Sequence, residues 1–180
     1  VVVETLNGAT SGKISVGQDV KNGTASVMAG QLVLNQATLN IDPVYGDQYA
    51  SVIANTLSTT SGDTLDGLVN VGHNALFAVG FDTKADVDAV LGTLVKNGSF
   101  TDPTPSVPAP GPTTRADSSA PGAEVVAPNA VVLNKGIKFT GTSGIYVGTE
   151  AGKTASGNNL TVEAGSALVV TDKSFGIDPA

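Results

Sequence analysis

Cysteine is absent from all 180 residues. A disulfide framework and a thiolate metal site are therefore both excluded. Tryptophan is absent as well, histidine and methionine occur once each, and aromatic residues make up only 4% of the chain. One histidine without cysteine falls short of the three or four ligands a zinc site needs, so neither metal nor other cofactor is expected. Charged residues are 14%, well below the usual quarter. The net charge is −7. That sign argues against nucleic acid, whose phosphates demand a basic face, and against an anionic membrane surface. No apolar run reaches 18 residues, so no helical membrane span is expected. The opening VVVETLNG has neither a basic n-region nor an initiator Met, which predicts no signal peptide within this stretch.

What remains is a chain of Val, Ile, Leu and Ala set among Gly, Ser, Thr and Asn, with 41% hydrophobic residues. Its length suffices for one domain with a real core. An aliphatic interior under an uncharged polar surface suits thin, stacked β layers.

Self-similarity comes next, because internal repeats point to arrays. Val27–Pro43 reads VMAGQLVLNQATLNIDP, and Val162–Pro179 reads VEAGSALVVTDKSFGIDP. Both open Val-x-Ala-Gly, pass through Leu-Val or a similar apolar run, and close on Ile-Asp-Pro. Upstream, Thr10–Gly17 (TSGKISVG) resembles Thr142–Gly148 (TSGIYVG). The partial repeat thus pairs residues 10–43 with 142–179. Its period is too long for one coil and predicts a group of coils.

Along the chain, short β-like runs alternate with turn residues. Val1–Leu6, Lys13–Val16, Ala25–Met28, Leu32–Leu34 and Ala37–Ile41 are broken by Asn7-Gly8, Ser11-Gly12, Asn22-Gly23 and Ala29-Gly30. Ala50–Leu57, the alternating stretch Thr64–Gly72 and the almost wholly apolar Asn74–Phe81 continue the pattern. Past the centre come Val131–Leu133, Ile137–Thr140, Ile145–Val147, Leu160–Val162 and Ala167–Thr171. Runs this short, with a break every eight to ten residues, predict an all-β protein. Asn-Gly pairs fit a hairpin and a β-helix corner equally well.

Two stretches differ. At residues 83–97 the apolar positions Val87, Val90, Leu91 and Leu94 recur at spacings of three and four, one face of a helix. Asp82 or Thr83 can cap it, Asp86 and Asp88 suit its first turns, and Asn97-Gly98 supplies a stop. At 102–128 proline-rich sequence predicts an extended strap on the protein, or a linker.

Candidate chemistry is sparse. His73, at the turn Gly72-His73-Asn74, is the only available base for a Ser-His-Asp triad; no G-x-S-x-G elbow accompanies it. Paired carboxylates could serve a glycosidase or lyase. The pairs are Asp63 with Asp66, and Asp82 with Asp86 or Asp88, with Asp82 and Asp86 on one helix face. No aromatic sugar platform adjoins them, so capping and solubility are the expected roles. Asp42, Asp47 and Asp178 could offer calcium its oxygen ligands, but they lack the D-x-D-x-D-G spacing and read as turn residues. Gly12–Gly17 and Gly141–Gly148 have no following Lys and no following helix, so no phosphate loop is expected. Asn22, Asn97 and Asn159 head Asn-x-Ser/Thr triplets without further support. Arg115, the only arginine, lies in the proline-rich stretch. No catalytic, cofactor-binding or metal-binding residue is therefore assigned.

Turn-separated apolar triplets such as LTVEAGSALVV (Leu160–Val170) and VNVGHNALFAVGF (Val69–Phe81) resemble passenger segments of bacterial autotransporters, the type V secreted adhesins of Gram-negative bacteria. The resemblance covers most of the chain outside 83–97 and 102–128 and carries no functional residue. It implies a right-handed parallel β-helix, a solenoid with one inserted amphipathic helix and a Pro-rich loop. It implies display outside the cell through a C-terminal outer-membrane barrel that this sequence does not include. The expected function is a non-enzymatic adhesin or stalk, with a protein or glycan as surface ligand and self-association as a further option. Two alternatives stay open. One is a polysaccharide-acting β-helix enzyme or phage tail-spike fragment. The other is a tandem of β-sandwich adhesin modules, which requires antiparallel hairpins.

Overall fold

The computed structural model describes residues 1–18, 24–43, 49–57, 62–96, 129–149, 152–157, 159–164 and 166–171, with side chains left out at 92–96. The proline-rich stretch, Asn22-Gly23, Asp47, Asn97-Gly98 and the 172–179 part of the repeat lie outside these residues. The described protein is mostly β, with one helix, and its sheets are parallel.

The strands fall into two principal sheets. The first is ordered β1 (Val2–Asn7), β3 (Thr24–Val33), β5 (Tyr49–Leu57), β8 (Ala75–Val79), β9 (Ala130–Leu133) and β13 (Ala167–Val170). The second is ordered β2 (Lys13–Val16), β4 (Thr38–Ile41), β7 (Leu68–Val71), β11 (Gly144–Val147) and β12 (Asn159–Val162). A two-stranded sheet joins β6 (Thr64–Leu65) to β10 (Lys138–Phe139). The chain alternates between the principal sheets, β1 to β2, β3 to β4, and β5 through β6 to β7, so that each tier lies in register on the one before. Every described strand pair is parallel. That is the opposite of what antiparallel β-sandwich modules require.

Register explains the sequence pattern. A parallel pair needs a long connection, and here the other sheet's strand lies within it. Val27 pairs with Val52, Val52 with Phe77, and Phe77 with Val131, forming one inward ladder of the first sheet. Leu39, Val69 and Ile145 form its counterpart in the second. These side chains meet between the sheets in one cluster, and Val52, Phe77, Val131, Leu39, Val69 and Ile145 are fully buried. Burying each adds about 1.5–3 kcal/mol, and stacking like on like lets small aliphatics fill a thin interior.

The first sheet is covered on its other face too. Helix α1 (Lys84–Lys96) follows β8 and precedes β9. Its Val87 and Leu91 are fully buried against Ile53, Leu76, Ala78 and Val132, the outward ladder of β5, β8 and β9. Two adjacent parallel strands joined through a helix are a βαβ unit. This is why Ala75–Val79 is apolar at every position and buried on both faces. The chain makes a second detour between β11 and β12, where Ala155 N donates to Asn70 Oδ1 (2.6 Å) on the outer face of the second sheet.

Three boundaries differ from the sequence expectation. Ala29-Gly30 lies inside β3 and does not break it, so Ala25–Met28 and Leu32-Val33 belong to one strand, which ends before Leu34. Gly30 serves there by close approach, since a Cβ would crowd the Glu4 carbonyl of the neighbouring strand. The alternating run Thr64–Gly72 is two strands, β6 and β7, separated at Asp66-Gly67. A Cβ on Gly67 would collide with the Ala37 carbonyl and the Leu34 side chain, so the corner closes only with glycine. Asp82 lies before the helix and is not on its face. Thr83 is the cap: Asp86 N donates to Thr83 Oγ1 (3.2 Å), and Thr83 Oγ1 donates to Asp86 Oδ2 (2.6 Å).

The repeat maps onto structure unevenly. Thr10–Gly17 and Thr142–Gly148 both lead from a turn into a strand of the second sheet, β2 and β11. Val27–Gly30 is mid-strand in the first sheet, whereas Val162 ends β12 in the second.

Candidate functional site

The corner between the sheets holds an open concavity. Turns between β1 and β2, β3 and β4, β6 and β7, and β10 and β11 stack above one another there. They line a cleft of about 270 Å³ with Thr10, Asn35, Gln36, Asp66, Thr140 and Thr142. The local chemistry explains its shape. Asn35 and Gln36 adopt φ of 50° and 65°, an unusual pair that turns the chain sharply from β3 toward β4. Asp66 holds that turn, with its Oδ1 accepting Leu34 N (2.9 Å) and its Oδ2 accepting Asn35 N (3.0 Å). The Asn35 amide donates to Asn7 Oδ1 (2.7 Å) and to the Gly8 carbonyl (2.9 Å), tying the first tier to the second. The lining is hydroxyl, amide and one carboxylate already committed to backbone donors. Such a surface exchanges hydrogen bonds with neutral polar ligands.

The acidic residues singled out in the sequence have partners. Asp63 accepts Leu57 N through Oδ1 (2.9 Å) and meets Lys135 through Oδ2 (3.4 Å). Asp63 and Asp66 therefore serve different corners. Asp82 accepts from the Asn55 amide of β5. Asp86 completes the helix cap, and Asp88 pairs with Lys84 at 2.8 Å.

Asp42 and His73 form a contact that the sequence reading did not join. Strands β2, β4, β7, β11 and β12 end at one corner, on Gly17, Asp42, Gly72, Gly148 and Glu163, linked by bonds such as Asp42 N to Val16 O (3.1 Å) and Gly72 N to Ile41 O (2.8 Å). The Asp42 carboxyl occupies the space a Cβ on Gly72 would need. Glu163 likewise fills the space beside Gly148. Burial in that niche pushes the Asp42 carboxyl above its ordinary value of 3.8, opposed by the His73 backbone N–H and the His73 charge. Asp42 as a residue stays largely exposed, so the burial is local to its carboxyl. The sequence signal was an acidic residue set beside a glycine, Asp42 by Gly72 and Glu163 by Gly148, legible once register is known.

Asp47 and Asp178, the partners proposed with Asp42 for calcium, lie outside the described residues. Among the described residues no group of three or more His, Asp or Glu side chains converges, and no helix is long and apolar enough to cross a membrane. Gly12 precedes β2 and Gly144 begins β11, so both lead into strands, the wrong context for a phosphate loop. Asn159 is the first residue of β12, Asn22 and Asn97 lie outside the described residues, and Arg115 does as well.

Comparison of the chain with family models, curated proteins and solved structures finds no match.

Proposed function

We propose that this chain is a right-handed parallel β-helix that acts as a non-enzymatic, surface-displayed adhesive stalk segment of the autotransporter type. The observation that carries the reading is the alternation of strands between two parallel, in-register sheets over successive tiers. Crossovers between parallel strands are right-handed in nearly all proteins, which supports that hand here. Units stacked in this way build a stiff rod whose length grows by tiers. The outward column of the second sheet runs Ser15, Asn40, Asn70, Tyr146 and Thr161; it is uncharged throughout, and at Asn70 and Tyr146 it is buried in part by the segment that carries Ala155.

The ligand class that the corner cleft fits best is a neutral glycan. Its Thr10, Gln36, Thr140 and Thr142 side chains meet a sugar's hydroxyls with like chemistry. A polysaccharide-cleaving role has less support, because Asp63, Asp66, Asp82 and Asp88 are engaged by backbone, amide or lysine donors. The test is binding of the 180-residue chain to an immobilised glycan panel, run beside an assay for newly released reducing ends. Binding without cleavage is expected, and a joint Gln36→Ala and Thr142→Ala change lowers affinity roughly 2- to 10-fold per lost hydrogen bond. Release of reducing ends would move the protein to the enzyme class. Binding to no glycan would remove the cleft from the reading.

A further inference from the structure

The corner cleft is periodic. Its lining comes from four successive tiers: Thr10 from the turn before β2, Asn35 and Gln36 from the turn before β4, Asp66 from the one before β7, and Thr140 and Thr142 from the one before β11. The turns repeat in register. Thr38 N donates to Gly12 O (2.9 Å), Leu68 N to Ala37 O (3.1 Å) and Gly144 N to Gly67 O (3.2 Å). Adjacent tiers thus lie one strand spacing apart, about 4.8 Å, and the four span about 14 Å.

The wall of the cleft is fixed before any ligand arrives. Asn35 ties its turn to the tier before it through Asn7 Oδ1 and Gly8 O. Asp66 ties the next tier to the same turn through Leu34 N and Asn35 N. Gly8 and Gly67 let these turns close up, since a Cβ on them would collide with the Leu34 and Ala37 carbonyls. Thr10, Asn35, Gln36 and Thr142 are exposed on that wall. Among the described lining residues Asp66 is the one charged group, and both its oxygens already accept backbone N–H groups.

Resting on the reading of this cleft as a glycan site, we infer that its ligand is a linear, neutral chain of pyranose units laid along the stack, one unit to a tier. The period separates the chain chemistries. An extended peptide advances about 3.3 Å per residue, so along the stack it falls out of step with a spacing of about 4.8 Å within two residues. An extended chain of equatorially linked pyranoses advances by nearly one tier spacing per unit. Each unit therefore brings its hydroxyls to one tier: to Thr10, then to Gln36, then to Asp66, then to Thr140 and Thr142. Neutrality follows from the lining, where a uronate or a sulfate would meet the Asp66 carboxylate with no lysine or arginine to offset it. Because the wall is already ordered, little of each new hydrogen bond is lost to ordering it.

The test is isothermal titration calorimetry of the 180-residue chain with β-1,4-linked oligomers of glucose, mannose, xylose and N-acetylglucosamine, one to four units long. In at least one series affinity is expected to rise roughly 2- to 10-fold per unit through the fourth. Thr10→Val and Thr142→Val each remove a hydroxyl, at opposite ends of the cleft, and keep the side chain's shape. Each should weaken the four-unit ligand roughly 2- to 10-fold, and the two losses should multiply in the double variant. A far-ultraviolet circular dichroism melt matching the parent is the entry condition, and Gln36→Met with Thr140→Val is the second pair if the first fails it. A single unit that binds as tightly as four overturns the inference and leaves the glycan reading standing. So does a four-unit ligand indifferent to either end variant, or an oligogalacturonate of that length that binds more tightly than every neutral chain. Binding by no series at any length overturns both.

Discussion

Asp42 shows how one side chain ties a tier to its neighbour. Its carboxyl sits in the niche left by the missing side chain of Gly72 and accepts the His73 backbone N–H. Burial is the larger influence and raises its pKa above 3.8. The folded state thus holds this proton more tightly than the unfolded chain does. The stability that protonation contributes is fully present below about 3.8 and is lost as pH rises through the folded value. Asp42→Asn keeps an acceptor there and cannot ionise. The Tm of Asp42→Asn minus that of the parent should therefore grow as pH is raised from about 3.5 to about 6, a comparison two calorimetric scans supply. A constant difference would mean that the niche imposes no cost on the charge. Asp66 differs, because both its oxygens accept backbone N–H groups of the Leu34-Asn35 turn. The sequence marked Asp66 as a carboxylate paired with Asp63; the turn it holds could be known only from the tier beneath.

The helix is the element best read in advance. Spacing placed it at 83–97, and it spans Lys84–Lys96. Its apolar stripe has a period that strands lack, so the signal needed no tertiary context. What it covers did need that context. Val87 and Leu91 bury the outward ladder that Ile53, Ala78 and Val132 form across β5, β8 and β9. Leu91→Ala should lower stability by about 2–5 kcal/mol, or roughly 5–15 °C in Tm for a chain of this length. Urea titration would measure it, and a loss below about 0.5 kcal/mol would mean the helix does not anchor the sheet. Strand β3 was the element read least well, since glycine at position 30 looked like a break. In a strand flanked by β1 and β5, pairing on both sides overrides a single residue's preference for turns.

At the scale of the whole molecule, stability should fall from the middle tiers outward. Strands β5, β8 and β9 are paired on both edges, buried on the inward face and packed on the outer one against α1. Strands β1, β12 and β13 are edges whose side chains keep much of their surface in water. Amide hydrogen exchange of the dilute chain should therefore be slowest at Val52–Ala54, Leu76–Val79 and Val131–Val132. It should be faster by about two orders of magnitude or more at Val3–Leu6 and Leu168–Val170, a gap of a few kcal/mol in opening free energy. Uniform protection from end to end would mean that the tiers open as one unit and that the ends are not its weak points.

By itself the sequence determined the β character, the site of the helix, the aliphatic make-up of the interior and the sparseness of reactive groups. Each follows from composition or from a period that a few neighbouring residues reveal. Parallel pairing, the stacking of Val52 on Val27 and Phe77 on Val52, the joining of Asp42 to His73 and the assembly of the corner cleft were decided by tertiary structure. These depend on which residues, some 25 or more positions apart, come to lie side by side. No local propensity carries that choice: Asn-Gly serves a hairpin and a stacked corner alike, and only burial of both inward ladders at once selects the register.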